Sequence, residues 1–598
     1  MHKSSFDTPI SEHLWRSKYR WSQDGRLPEP SIEASWDRVA LAVSSAEAQH
    51  HNEWRERFRS ILADFRFLPD GQILANAGTA RRATLFSCFV MGPMEDSLQG
   101  IFNALREAMV TLQAGGAMGI DFSSIRPAGC AAVASAGQAS GPVSFMRLWE
   151  QAAAVLELNN LRRGAMMATL RCDHPDIEAF IQAQCAHDRL PHLNLSILVS
   201  DDFMRAVEED GPWTLVFPLD GHPIPVGAEV CERAWCESAA PQLCLVHRRL
   251  PARVLWDKLL AAVHASAEPG LLFIDRINRA NNLWYCEHLS TTSPCGEAPL
   301  PPSGACNLGS INLPRLVQNP FATHPSLDFA GLRSVTAVAT RFLDNVHDIS
   351  PFPLKAQQKA AGASRRIGLG ITGLADMFAM LGLRYGAPAS IDLTHQILST
   401  MRDTAYRTSI ALAQEKGAFP AFDKIKYGAS PFVLELTHEL QDAIAGHGIR
   451  NSHLLALGSA GSISLLANNV SAGIEPIYAL RGARGVRAAD GQLVMFDVED
   501  AAWRQYQLLH GPQADVPTHF VQAADVAPQD QLRLMATAQS CVDNAISRTV
   551  RLPQSANELE LGTVLQRAWE LGLMGCAVYR EGRAAYLTST TAPPPSIG

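Results

Sequence analysis

The stretch STTSPCGEAPLPPSGACNLGSINL, residues 290–313, sets Cys295 between a proline and a glycine, with Glu297 two positions on and Cys306 eleven positions on. Pro294 fixes its own φ and disfavours helix at Ser293, while Gly296 admits backbone angles that other residues resist. Cys295 is therefore expected at a tight, exposed tip. Pro299, Pro301 and Pro302 then enforce an extended return. A cysteine held beside a carboxylate suits two chemistries, a thiolate nucleophile or a thiol that gives up a hydrogen atom. A thiolate wants a cation, a histidine or a helix N-terminus, and Glu297 would raise the thiol pKa. Radical chemistry has no such need, because a thiyl radical is neutral and a nearby carboxylate can act as general base on a substrate hydroxyl. Cys306 reaches the same cavity if the loop folds back. Cys88, in the β-prone run ATLFSCFV, is the candidate third sulfur that would complete a dithiol.

The 598-residue chain is 47% hydrophobic and 18% charged, a globular composition long enough for one very large domain or three ordinary ones. Its formal charge of -8 offers no broad basic footprint, which argues against nucleic acid as a partner and leaves small anions to local sites. The start, MHKSSFDTPISEHLWRSKYRW, lacks the apolar stretch of a signal peptide. No run approaches the roughly 18 apolar residues of a membrane span. A cytoplasmic setting with no membrane partner is expected, in which the 12 cysteines stay mostly reduced. No CxxC occurs, the tightest pair being Cys231 and Cys236, and no histidine cluster accompanies it at zinc spacing, so no metal site is expected. The bland role of an arbitrary cysteine is a small buried hydrophobe. That role is expected of Cys130, Cys172, Cys185, Cys244, Cys286, Cys541 and Cys576.

Near the N-terminus, SIEASWDRVALAV offers Ser31 as an N-cap, Glu33 in the first turn, and Trp36, Val39, Ala40 and Val43 at helical spacing. Beyond it, β-prone runs (ATLFSCFV, LNLSILVS, WTLVFPL, GLLFI) alternate with helical ones (SFMRLWEQAAAVLEL, VLWDKLLAAVHASA), which suggests an α/β architecture. Residues 211–250, rich in Pro and Gly, read as an irregular excursion or hairpin on the surface. The final TSTTAPPPSIG is of low complexity and is expected to be disordered. The organisation expected is a helical flank over 1–65, one α/β body over 66–583 and a tail over 584–598.

SPCGEAPLPPSGACNLGSINL resembles the finger loop of ribonucleotide reductases, most closely the class II, adenosylcobalamin-dependent branch, whose usual form begins Asn-Pro-Cys-Gly-Glu. Also similar to that family, and in its order, are ISEHLWRSKYR, ILANAGTARRATLFSCFV, GGAMGIDFSSIRPAG, SGPVSFMRLW, RRGAMMATLRCDHPDIEAFI, AEPGLLFIDRINRANNLWYCE, RRIGLGITGLADMF and SISLLANNVSAGIEPIYA. The similarity runs from about residue 10 to about residue 583. It implies a ten-stranded α/β barrel of two parallel five-stranded half-sheets, with the finger loop threaded through its centre.

By the same resemblance Cys295 becomes a thiyl radical and removes the ribose 3'-hydrogen, Glu297 takes the 3'-hydroxyl proton, and Cys88 with Cys306 supplies the electrons and ends as a disulfide. Ser87 and Asn307 flank that pair and are expected at the substrate. Gly458, Ser459, Ala460, Gly461, Ser462 and Ile463 would receive the nucleotide phosphates through backbone N–H groups at a helix start. Arg162 and Arg163 match the loop that couples a deoxynucleotide or ATP effector at a homodimer interface to base selection. The chemistry asks for a dry enclosure around the three sulfurs. Ser293 stands where the family usually has asparagine, GSAGSIS replaces the common Ala-Pro-Thr-Gly-Thr-Ile-Ser, and no cysteine follows Cys576. An external thiol reductant such as thioredoxin or glutaredoxin is therefore expected. Two alternatives stay open from the residues: a class I type catalytic chain that needs a radical-bearing partner subunit, and a non-catalytic nucleotide-binding homologue.

Overall fold

The computed structural model describes residues 5–22, 28–130, 137–157, 165–185, 189–219, 224, 226–235, 238–487, 493–547 and 549–581. The tail 584–598, and with it the expectation of disorder there, lies outside the described residues, as do Arg162 and Arg163.

The strands that build the centre are, in chain order, β1 (Phe67–Pro69), β2 (Cys88–Val90), β3 (Ala117–Asp121), β4 (Met166–Arg171), β5 (Leu193–Val199), β6 (Gly270–Phe273), β7 (Thr291–Thr292), β8 (Pro299–Leu300), β9 (Ala305–Asn312), β10 (Ile367–Thr372), β11 (Thr549–Leu552) and β12 (Gly575–Arg580). All but β7 and β8, which form a separate ribbon, belong to one ten-stranded sheet. From β2 through β6 each neighbour is parallel. These strands are almost wholly buried and read as continuous apolar runs such as GLLF and LNLSILV, as strands covered on both faces must.

A second parallel run starts at β9, which pairs with β10. Isolated parallel bridges, Leu369 to Leu455 and Leu457 to Ile546, carry the pairing on to the segment just before β11, and β11 is parallel to β12. The two runs meet antiparallel at two seams, β2 against β9 and β6 against β12. Followed round, the pairings return to their starting strand. With residues 455–457 counted as a strand, each half contributes five. This is the architecture the resemblance implies, with β1 added antiparallel to β9.

Helices cover the outside, the longest being Phe329–Ile349 and Pro388–Lys416. The N-terminal helices Ile32–Ser44 and His51–Leu62 lie on Phe329–Ile349. Ile10, Trp15 and Trp36 share one buried cluster with the strands, so the flank has no separate core. One of its polar fastenings is Glu47, which accepts from Arg341 at 2.5 Å and from Asn345 at 2.7 Å. No described helix is long and apolar enough to cross a membrane.

Two expectations are corrected. Over residues 211–250 the irregular excursion is overturned and the hairpin alternative is extended by a strand: Pro212–Pro218, Val230–Trp235 and Ser238–Pro251 form a three-stranded antiparallel sheet of their own, with Ser238–Pro251 in the middle. The runs WTLVFP and LCLVH have the β-branched and aromatic content that a half-buried sheet needs, and this outweighs the Pro and Gly between them. Among the cysteines expected to be buried, Cys185 and Cys286 are exposed and Cys130 is half-buried, because each lies on a loop or helix end outside the ring.

Candidate active site

The ribbon β7–β8 pairs Thr291 with Leu300 and Thr292 with Pro299, leaving Ser293 to Ala298 as its tip. Gly296 N donates to Ser293 O at 2.9 Å, closing the turn over Pro294 and Cys295, and Gly296 takes φ 89°, where a side chain would be strained. Ser293 is fully buried; its N donates to Ala298 O at 2.9 Å and its Oγ accepts from Ala298 N at 3.3 Å. From Leu289 to Leu300 every residue is buried except Cys295.

Both halves of the ring grip this ribbon. A Cβ placed on Gly119 of β3 would lie 2.0 Å from Thr292 O, so the backbone of the ribbon rests directly on that glycine. From the other half, Ala545 N donates to Glu297 O at 2.9 Å. The tip is thus located by backbone contacts, which move less than side chains do.

Beneath the tip, Cys88 and Cys306 face each other across the antiparallel seam. Cys88 Sγ donates to Glu297 Oε1 at 3.2 Å. The Glu297 side chain is 2% exposed, and its other oxygen, Oε2, has no hydrogen-bond partner among the described residues. Burial raises the Glu297 pKa, against the pull of its hydrogen bonds. Burial also pushes the Cys88 thiol well up, with the Glu297 charge adding to it. Cys306 is raised by burial as well, the Arg366 charge opposing. Both buried sulfurs therefore stay thiols, able to donate a proton.

Ser87 Oγ lies 3.6 Å from Cys88 Sγ. Ser459 Oγ lies 3.9 Å from Cys295 Sγ, and a Cβ on Gly458 would stand 3.7 Å from Glu297 Cγ. The loop from Gly458 to Ala460 thus borders the group; Ala460 turns left-handed at φ 50° and starts the short helix Gly461–Leu466. On that helix Ser462 is half-buried and Ile463 buried.

Asn307 does not join them. Its Nδ2 donates to Leu343 O at 2.8 Å in the helical layer, on the opposite face of β9 from Cys306. Cys295, expected at an exposed tip, is exposed, while Cys88 and Cys306 are buried.

Behind Cys306 lies a set of residues that the sequence reading does not single out. Arg366, 1% exposed, donates to Glu287 Oε1 at 2.6 Å and to His453 Nδ1 at 3.0 Å. Asp543 accepts from Tyr406 Oη at 2.8 Å and from the backbone N–H groups of Leu454 and Leu455. Burial raises its pKa to about 6. Gly368 lets Leu308 and Ala456 close over β10, since a Cβ there would lie 2.4 Å from Leu308 Cδ2 and 2.8 Å from Ala456 Cβ. The glycines Gly119 in GGAMG and Gly370 in GLGITG mark close backbone approach, a Cβ on them lying 2.0 Å from Thr292 O and 2.6 Å from Ala456 O.

Residues 86–579 match the family model of the ribonucleotide reductase barrel domain, and residues 5–82 match that of the ribonucleotide reductase all-alpha domain. A protein of Mycobacterium tuberculosis (strain CDC 1551 / Oshkosh) named vitamin B12-dependent ribonucleoside-diphosphate reductase is 36% identical, over 97% of this chain and 80% of its own length. One of the same name from Thermoplasma acidophilum is 30% identical over 96% of this chain and 70% of its own length. A Chlamydia pneumoniae protein named ribonucleoside-diphosphate reductase subunit alpha is 25% identical over 94% of this chain and 58% of its own length. The ring of two parallel halves with a cysteine-tipped ribbon inside it agrees with the barrel domain that the family model describes. The chain belongs to the ribonucleotide reductase family.

Proposed function

We propose that the chain is a class II enzyme, reducing ribonucleoside diphosphates to 2'-deoxyribonucleotides with adenosylcobalamin as cofactor. The observation that carries this reading is one exposed cysteine, Cys295, on an otherwise buried ribbon above a buried carboxylate and two facing thiols. Cys295 also fits the cofactor, because a sulfur reachable from outside can be activated by a group that never enters the packed ring. Bound there, adenosylcobalamin would supply the oxidising equivalent by homolysis of its cobalt–carbon bond.

The chain's own residues would do the rest. Cys295 as thiyl takes the 3'-hydrogen, and Glu297, with Oε2 unpartnered and its pKa raised, takes the 3'-hydroxyl proton. The 2'-hydroxyl leaves as water with a proton from a buried thiol. Cys88 and Cys306 give up two electrons and close as a disulfide, and Cys295 returns its hydrogen to the 3'-carbon. One C–OH and two S–H groups become one C–H, one S–S and one water. The Cα atoms of directly opposed residues lie about 4.5–5.5 Å apart, inside the range of about 4.4–6.8 Å that a disulfide spans.

Backbone N–H groups at 459–463 face the phosphates in this reading. A homodimer is supported by the exposed Leu98, Phe102 and Val110 on the helix Leu98–Gln113, an apolar face that a second copy would cover. Deoxynucleotide or ATP effectors, and thioredoxin or glutaredoxin as reductant, complete the reading.

The test is purified chain with adenosylcobalamin, dithiothreitol and each of the four ribonucleoside diphosphates, scoring deoxy product. Turnover that Cys295→Ser abolishes, without lowering the melting temperature, is the expected result. Turnover only after adding a radical-bearing subunit would favour the class I form, and none under either condition would favour a binding homologue.

A further inference from the structure

We propose that Cys231 and Cys244 form a second thiol–disulfide couple, separate from Cys88 and Cys306, that exchanges electrons with small external disulfides and dithiols. The proposal goes beyond the activity above and does not rest on it.

The accessory sheet carries the observation. Its strands Val230–Trp235 and Ser238–Pro251 are antiparallel, and the register sets Cys231 directly opposite Cys244. Opposed residues point to one face of a sheet, with Cα atoms about 4.5–5.5 Å apart, inside the disulfide range. Cys88 and Cys306 stand in the same relation. Both cysteines of the accessory sheet are reduced and touch one apolar cluster of Val216, Phe217 and Trp235.

Their surroundings differ in a way that orders the reaction. Cys231 is half-buried and within reach of a small disulfide, whereas Cys244 is buried. Burial pushes the Cys244 thiol up to about 11, the neighbouring Cys231 adding to it. Attack therefore begins at Cys231: its sulfur bonds to one sulfur of an external disulfide RSSR and releases one thiol RSH. Cys244 then displaces the second RSH and closes the Cys231–Cys244 bond. Two protein thiols are oxidised, one external disulfide is reduced to two thiols, and the two protons leave with them. Cβ atoms of opposed residues lie about 4.5–5.5 Å apart. A disulfide holds them at about 3.5–4.5 Å, and thiol exchange reverses the bond.

The position gives such a bond something to act on. A register shift separates Ala234 from Trp235, four residues after Cys231. Trp235 Nε1 donates to Ser123 O at 3.2 Å, and the Arg171 guanidinium sits 4.5 Å over its ring. Ser123 follows β3 and Arg171 ends β4, so the couple lies beside one of the contacts that fasten this sheet to the ring.

The test uses the whole chain, equilibrated anaerobically with graded mixtures of oxidised and reduced glutathione, then alkylated, digested and mapped by mass spectrometry. The expected product is a peptide pair joined through Cys231 and Cys244, lost on adding dithiothreitol. In Cys244→Ala, Cys231 should stop at the mixed disulfide with glutathione. Recovery of Cys231 and Cys244 separately alkylated, at oxidant levels that join Cys88 to Cys306, would overturn the proposal. So would pairing of either with Cys236 instead.

Discussion

Replacing Gly119 by alanine adds one methyl group at the point where the ribbon rests on β3. In the present geometry that Cβ would stand 2.0 Å from Thr292 O, and real Cβ atoms essentially never come closer than 3.0 Å. The difference, 3.0 minus 2.0, means that the ribbon or β3 must yield by about 1 Å. The obstacle is a backbone carbonyl one residue before Ser293, so no rotamer change can relieve it. Overpacking of this size costs about 1–3 kcal/mol of stability. Its effect on chemistry is larger in proportion, since about 1 Å of misplacement in an active site can cost about 100-fold in rate. Deoxynucleotide formation under single-turnover conditions should fall by about that factor, and the alkylation rate of Cys295 should change with it. Gly362→Ala is the control: it lies in the helix Lys355–Ser364 with nothing within 4 Å of the added atom, and should raise stability by about 0.5–1 kcal/mol. A Gly119→Ala chain that melts like its parent and turns over within about twofold would refute the claim that backbone contact positions the tip.

Other perturbations separate chemistry from support. Glu297→Gln keeps an oxygen acceptor for the Cys88 thiol but cannot take a proton, so turnover should drop by about 100- to 10,000-fold while the melting temperature does not fall; near-parental turnover would remove Glu297 from the proton path. Arg366→Met leaves Glu287 and His453 facing a buried gap and should destabilise by about 3–5 kcal/mol, with Glu287→Gln in the same chain recovering part of the loss. Additive losses in denaturant titrations would show that the two groups are uncoupled. Asp543 has a folded pKa of about 6 against an ordinary 3.8, so its neutral form favours folding below about pH 4 and that advantage is lost as the pH rises through 6. Asp543→Asn should flatten the fall of unfolding free energy across that window by about 3 kcal/mol, whatever it does to the level. An unchanged slope would place the proton elsewhere.

How much of this was legible before the fold depends on whether the cause is local. Pro294 and Gly296 dictate a tight turn by their own backbone limits, and the turn is there with Cys295 at its tip. The runs in β4, β5 and β6 announce strands covered on both faces. The closing of the ring is not local: Cys88 reaches Glu297 across 209 positions of sequence, and the residues alone offer Cys88 as a candidate partner without placing it. Arg366 could not be placed from sequence either, because an arginine reads as solvent-facing until a ring of strands buries it against Glu287. Cys185 and Cys286 fail the opposite way, as apolar residues by type that the packing leaves outside.

One correction was within reach of the sequence. If Cys306 sits on a strand and faces the ribbon, its neighbour Asn307 must face away, since side chains alternate with period two. Both cannot touch one substrate from inside the ring. The hydrogen bond from Asn307 Nδ2 to Leu343 O is the consequence, tying β9 to the helix behind it. Asn307 thus helps to hold the strand that carries Cys306. The same alternation serves the accessory sheet, where Cys231 and Cys244 share a face because their register, and not their spacing in sequence, sets them opposite each other.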